Sequence, residues 1–182
     1  MRKDGGNGNS KVGLRKFRDC RRGRYTEVTM DDYADNRGII ADGVPETEEY
    51  IQSTTEIYGY FAGATFANQI GLTTQMPATL EIITSKESTK GRTVTVGSQT
   101  VRLKRPAIAV TSENAGLLQF LDGVSQAEKY SELSDSETGI LLKNYARQQN
   151  FSKELLSSVL SGITGSAAKK LIEWGIIYEF TS

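Results

Sequence analysis

The 182 residues carry 22 basic and 22 acidic side chains, no histidine and a single cysteine, a length that buries a core without metal or disulfide support. Without histidine, the Ser-His and Cys-His nucleophile pairs, imidazole proton shuttles and the commonest zinc sites are excluded. Cys20 alone closes no intramolecular disulfide, and the basic N-terminus lacks the apolar run of a secretory signal, so a cytoplasmic location is expected.

The zero net charge conceals a split. Residues 1–24 hold nine basic and two acidic side chains, a net +7, and the remaining 158 residues carry the opposite −7. The head therefore reads as a basic N-terminal arm, and residues 25–182 as an α+β domain with a helix-sheet part (25–110) and a helical tail (111–182). Arm cations Arg15, Lys16, Arg18, Arg21, Arg22 and Arg24 are candidates for phosphate contacts through counterion release. The alternative is a solvated terminus whose Gly and Asn residues do not pack. Asp31, Asp32 and Asp35 resemble a divalent-cation cluster only loosely, and neither a phosphate loop nor a metal-ligand pattern accompanies them. No catalytic residue, metal or cofactor is expected.

Along the body, `RYTEVT` alternates as a short strand at Arg24–Thr29. Pro45, followed by Glu46, Glu48 and Glu49, starts a helix running to about Thr55. From Ile57 to Leu80 there are 24 residues without a charge, but glycines, amides and Pro77 make the segment too polar and too broken to span a membrane. Phe61, Ala62, Thr65, Phe66 and Gln69 share a helical spacing, which predicts a buried central helix stopped at Gly71. Ala62, Gly63, Ala64 and Ala67 would let another element approach it closely. A strand follows at Thr79–Ser85.

The segment `RTVTVGSQTVRLK` reads as a hairpin around Gly97-Ser98, with glycine where a type II′ turn requires it. The register pairs Val96 with Gln99, Thr95 with Thr100, Val94 with Val101 and Thr93 with Arg102. Val94, Val96, Val101 and Leu103 then share one face; Thr93, Thr95, Thr100, Arg102 and Lys104 share the other. Arg102 and Lys104 join the arm cations as candidate contacts for an acidic partner or a nucleic acid, or they guard an edge against aggregation. The expected architecture is α+β: a small antiparallel or mixed sheet with a β-hairpin, the central helix and a C-terminal helical bundle. In that bundle, caps are expected at Ser112, at Asp135 or Ser136, at Ser152 and at Ser166, with Gly175 ending the last helix and `IIYEF` returning as a strand. A helix-turn-helix over 152–174 would place Lys169 and Lys170 early in its second helix. The balance of charges from 136 to 182 favours core packing instead.

The run `IYGYFAGATFANQIGLTTQMPATLEIIT`, followed by `GRTVTVGSQTVRLKR`, resembles the C-terminal domain of antitoxins of type IV abortive-infection (AbiE-type) toxin–antitoxin pairs and its uncharacterised relatives. In that family a helix ends in a G-L-[ST]-T-Q-x-P turn that leads into a strand and a basic, valine-rich hairpin; the turn here is Gly71, Leu72, Thr73, Thr74, Gln75, Met76 and Pro77. Thr74 or Gln75 is placed to bond the exposed helix-end carbonyls. Upstream, `LRKFRDCRRGRYTEV` is similar to the wing strand and exit of the family's N-terminal winged helix, most of which is missing here. The resemblance implies a non-catalytic antitoxin-like interaction module that neutralises a nucleotidyltransferase-like toxin, with a part in autoregulation. The alternative is a nucleic-acid-binding transcriptional regulator working through the arm and hairpin.

Overall fold

A computed structural model describes residues 47–180 apart from Thr89, and the backbone alone at 15–19, 24–28 and 45–46. Two compact units divide after Gly38. In the first, β1 (Arg15–Asp19) pairs antiparallel with β2 (Arg24–Val28), with Lys16 opposite Glu27 and Arg18 opposite Tyr25. The expected strand at Arg24 is therefore present. It crosses position 24/25, so the arm and the start of the body share one hairpin.

The second unit is α+β. Its mixed sheet has the order β3-β4-β6-β5, built from β3 (Gly59–Ala62), β4 (Thr79–Thr84), β5 (Arg92–Val96) and β6 (Gln99–Lys104). β3–β4 and β5–β6 are antiparallel, and β4–β6 is parallel. The hairpin has the register read from the sequence. Gly97 has φ +58 while Ser98 stays at negative φ, which separates a type II′ turn from type I′. Val101 and Leu103 are buried with Phe61, Ile82 and Ile51 on one sheet face, and Val94 and Val96 pack half-buried against them.

The central helix is shorter than its spacing implies. Tyr60, Phe61 and Ala62 belong to β3, and helix α1 spans Gly63–Gln69. Every residue of β3 is buried, so the alternation that marks a half-buried strand is absent and periodicity cannot separate it from a buried helix. Gly63, at φ +58, turns the strand into the helix. The stop is as expected: Gly71 has φ +81, its N–H bonds Asn68 O (3.1 Å), and the Leu72 N–H bonds Ala67 O (2.9 Å), the double hydrogen bond of a Schellman end. Close approach occurs at Gly63, where a Cβ would collide with the Glu81 carboxylate, and also on the partner helix, where a Cβ at Gly123 would lie 2.5 Å from Phe66 Cε1.

Helices α2 (Ala115–Tyr130), α3 (Asp135–Gln149), α4 (Lys153–Val159) and α5 (Gly165–Glu173) form the tail. Several boundaries differ from those expected of the sequence. Pro45 opens a 3-10 turn that ends at Tyr50, because the chain is drawn into an isolated bridge between Gln52 and Ile57. Ser112 spends its hydroxyl on the Ile57 N–H (3.1 Å), leaving Asn114 to precede α2. Ser134, not Asp135 or Ser136, caps α3 through a reciprocal box with Glu137, and Thr164, not Ser166, caps α5. In each case the residue one or two positions upstream has the extended backbone that lets a hydroxyl reach the third helical N–H. Ser152 caps α4 as expected.

Gly175 ends α5 at φ +64, but Ile176–Glu179 forms a 3-10 turn rather than a strand. Glu179 ties the turn to α3 through Arg147 (2.8 and 3.1 Å) and Lys143 (3.4 Å). The core of the tail is Leu117, Phe120, Val124, Leu142, Val159 and Ile176 with Phe151 and Phe180. Lys170 is 5% exposed, paired with Glu128 on α2 and placed 4.4 Å over Trp174. α5 therefore turns that lysine toward α2 rather than to solvent. Among the described residues no helix is long and apolar enough to cross a membrane.

Candidate functional site

Two neighbouring features can meet a partner: the turn after α1 and the polar face of the sheet. The turn is locked from the α2–α3 connection. Glu132 accepts from Thr74 N–H (2.8 Å), Thr74 Oγ1 (2.9 Å) and Gln75 Nε2 (2.8 Å), while its own N–H bonds Leu72 O (2.9 Å). Asn68 Nδ2 spans the turn to the carbonyls of Thr73 and Gln75. Thr74 and Gln75 thus grip a carboxylate, whereas the helix-end carbonyls they were expected to bond are already taken by Gly71 and Leu72. Leu72 is buried in the core and Met76 is 67% exposed, so the same turn anchors itself and presents a tip just ahead of Pro77.

Hydrogen bonds donated to a carboxylate favour its charged form. Those from Thr74 and Gln75 hold Glu132 well below its usual 4.5, down to about 2. A group depressed on folding stabilises the fold above its unfolded pKa and loses that contribution as pH falls through the folded one. The stability difference between wild type and Glu132→Ala is accordingly expected to be constant above about pH 5 and to vanish as pH falls toward 2. Urea denaturation of both proteins across that range measures it.

On the sheet, one row runs Ala62, Glu81, Arg102, Thr93 across all four strands. α2 covers the β3 end of this face: Tyr60, Ala62 and Ile83 are buried with Ala115, and Gln119 Nε2 donates to Phe61 O (2.9 Å). At the β6–β5 end Thr93, Thr95, Thr100 and Arg102 are exposed, with no cover among the described residues. Glu81 sits between the halves, accepting from Lys104 Nζ at 3.0 Å, with Arg102 Nη1 at 3.8 Å. Lys129 donates to the Tyr130 hydroxyl (2.9 Å), which keeps the ammonium charged and raises its pKa. Asp122 lies under the covered half, where burial pushes its carboxyl up against the opposing pull of Gln126 and Lys104.

An open depression of about 490 Å³ results, lined by Thr79, Glu81, Thr93, Thr100, Arg102 and Tyr130 among others. It holds cations, hydroxyls and a single carboxylate, a set that suits recognition of an acidic surface. Among the described residues no group of three or more His, Cys, Asp or Glu side chains is placed to hold a metal ion.

Arg102 and Lys104 are brought together here, one strand from a carboxylate that the sequence pattern did not associate with them. Arg15, Lys16 and Arg18 fall on β1 and Arg24 on β2, in the other compact unit. Arg21 and Arg22 lie outside the described residues, as do Asp31, Asp32 and Asp35. Sequence reasoning missed Glu81, Glu132 and Asn68: the parallel β4–β6 pairing and a hydrogen bond across 58 residues leave no local pattern for the first two, whereas Asn68 bonds carbonyls only five and seven residues on. No family model, curated protein or solved structure matches this chain.

Proposed function

We propose that this chain is a non-catalytic antitoxin-like module that binds and neutralises a nucleotidyltransferase-like toxin. The turn from Gly71 to Pro77 carries this reading: it ends a helix, leads into a strand and is followed along the chain by a basic hairpin, the order found in the antitoxins it resembles. Four carboxylates of the second unit also support binding over chemistry, since Glu81, Glu132, Glu137 and Glu179 are each committed to cations, a cap or a turn. Co-expression with the product of the neighbouring open reading frame is expected to relieve growth arrest caused by that product alone. Unrelieved arrest overturns the reading.

A second reading, nucleic-acid binding by the arm, is favoured by the +7 charge of residues 1–24 and by the β1–β2 hairpin that orders part of it. Removing one phosphate neutralisation lowers the slope of log K against log salt by about 0.9. Deleting residues 1–24 should therefore flatten the salt dependence of duplex DNA binding in proportion to the number of phosphates the arm neutralises. Slopes that superimpose would leave the arm with no part in DNA binding.

A further inference from the structure

Building on the interaction-module reading, we propose that the outer edge of β5 accepts an extended, acidic segment of a protein partner as a fifth strand of the sheet. The two edges of the sheet are treated differently. At β3, the N–H groups of Tyr58 and Gly59 both bond Ile51 O (2.8 and 2.9 Å), and Tyr50 O would lie 2.6 Å from a Cβ at Gly59. That edge is occupied by the chain itself. At β5 the strand order ends, with no further strand among the described residues.

The register says which groups are left over. In a two-residue hairpin the pair flanking the turn exchanges both hydrogen bonds, here Val96 with Gln99. Alternation then turns Arg92, Val94 and Val96 toward β6 and directs the N–H and C=O of Thr93 and Thr95 outward. Native edges are blunted by proline, bulges or inward charges. β5 has neither proline nor bulge: Thr93 to Val96 is an unbroken β-branched run, and its one charge, Arg92, stands at the end far from the turn, on the face of Leu103 and Val94, where it is bonded to Glu87 at 2.7 Å.

Each face of the edge specifies what it would pair with. Val94 and Val96 are half-buried at the rim of the apolar cluster, so apolar side chains on that side of an added strand would complete their cover. Thr93 and Thr95 are exposed on the other side. A residue facing Thr93 would stand two strand spacings, about 9–10 Å, from the Arg102 backbone. The Arg102 side chain, 57% exposed and only distantly paired with Glu81, reaches a carboxylate there. The fitting segment therefore alternates acidic and β-branched residues, in the manner of strand-addition ligands.

The test follows amide exchange at Thr93 and Thr95 by NMR, using the full chain and a capped octapeptide of alternating glutamate and valine, with a lysine-valine octapeptide as control. The acidic peptide is expected to slow exchange at both amides by about tenfold or more, and the lysine peptide to leave them unchanged. Thr95→Pro removes an outward N–H where an edge strand tolerates proline, and should abolish the effect. Unprotected amides, or equal protection by both peptides, overturn the proposal. Protection without peptide that grows with protein concentration overturns it in favour of a second copy of the chain. If wild type and Thr95→Pro both neutralise the toxin, the strand site falls and the function stands; peptide protection without neutralisation gives the reverse.

Discussion

Phe120→Ala is expected to lower the unfolding free energy by about 3–5 kcal/mol, the range for emptying a fully buried aromatic site. Phe120 has no exposed surface, stacks on Tyr145 at 5.6 Å and 13°, and meets Phe151 at 5.6 Å in a tilted arrangement. Phe151 in turn stacks on Phe180, so the ring joins α2, α3 and the end of the chain in one packed column. Truncation removes both the transfer energy of the ring and the packing of its neighbours, which backbone anchored in three elements cannot follow inward. For a chain of this size the midpoint should fall by on the order of 10 °C. A thermal or urea melt showing a change under about 1 kcal/mol would mean that the column collapses into the space.

Gly63→Ala should be nearly as damaging, and more so than Gly71→Ala although both glycines have positive φ. An L-residue in the left-handed region costs about 1–2 kcal/mol, a cost common to both variants. At Gly71 a Cβ meets nothing within 4 Å, whereas at Gly63 it would lie 2.4 Å from Glu81 Oε2 and 3.3 Å from the Tyr130 hydroxyl. Glu81 would have to leave Lys104 and Arg102, so a further 1.5–3 kcal/mol, roughly the worth of a hydrogen bond to a charged group, is expected. The total is about 2.5–5 kcal/mol for Gly63→Ala against about 1–2 for Gly71→Ala. Equal losses in parallel urea melts would show that Glu81 yields freely and that its placement does not depend on the glycine.

Those two glycines also show how far a sequence can be read. Gly71 acts within its own helix end, where spacing, capping and a following proline are all local, so its role was legible. Gly63 acts because β3 lies against β4 and brings Glu81 under it, and nothing within a few residues of Gly63 records that proximity. The same contrast runs through the site. The hairpin sorted its valines from its cations on paper because a two-residue turn sets the pairing of everything beyond it. Which carboxylate would sit among those cations was decided by β4 inserting beside β6 in parallel.

The caps that fall one or two residues from their expected places have a common origin. Runs such as `SDSE` and `TGS` offer several hydroxyls or carboxylates in succession, and the choice among them falls to the residue whose backbone is extended when the helix packs. The acid limb set by Glu132 belongs with these cases: its partners are 57 and 58 residues away.

Sequence alone determined what depends on neighbours along the chain: the hairpin register, the glycine stops, the amphipathic tail helices and the charge split between head and body. Tertiary structure alone decided that Tyr60 to Ala62 form a strand, that α2 covers the β3 end of the polar sheet face, and that β5 is the last strand of the sheet among the described residues. The division is physical. Turn geometry and capping are short-range and keep their meaning out of context. Burial on both faces erases periodicity, and the exposure of an edge or a charge is set by whichever distant element packs there.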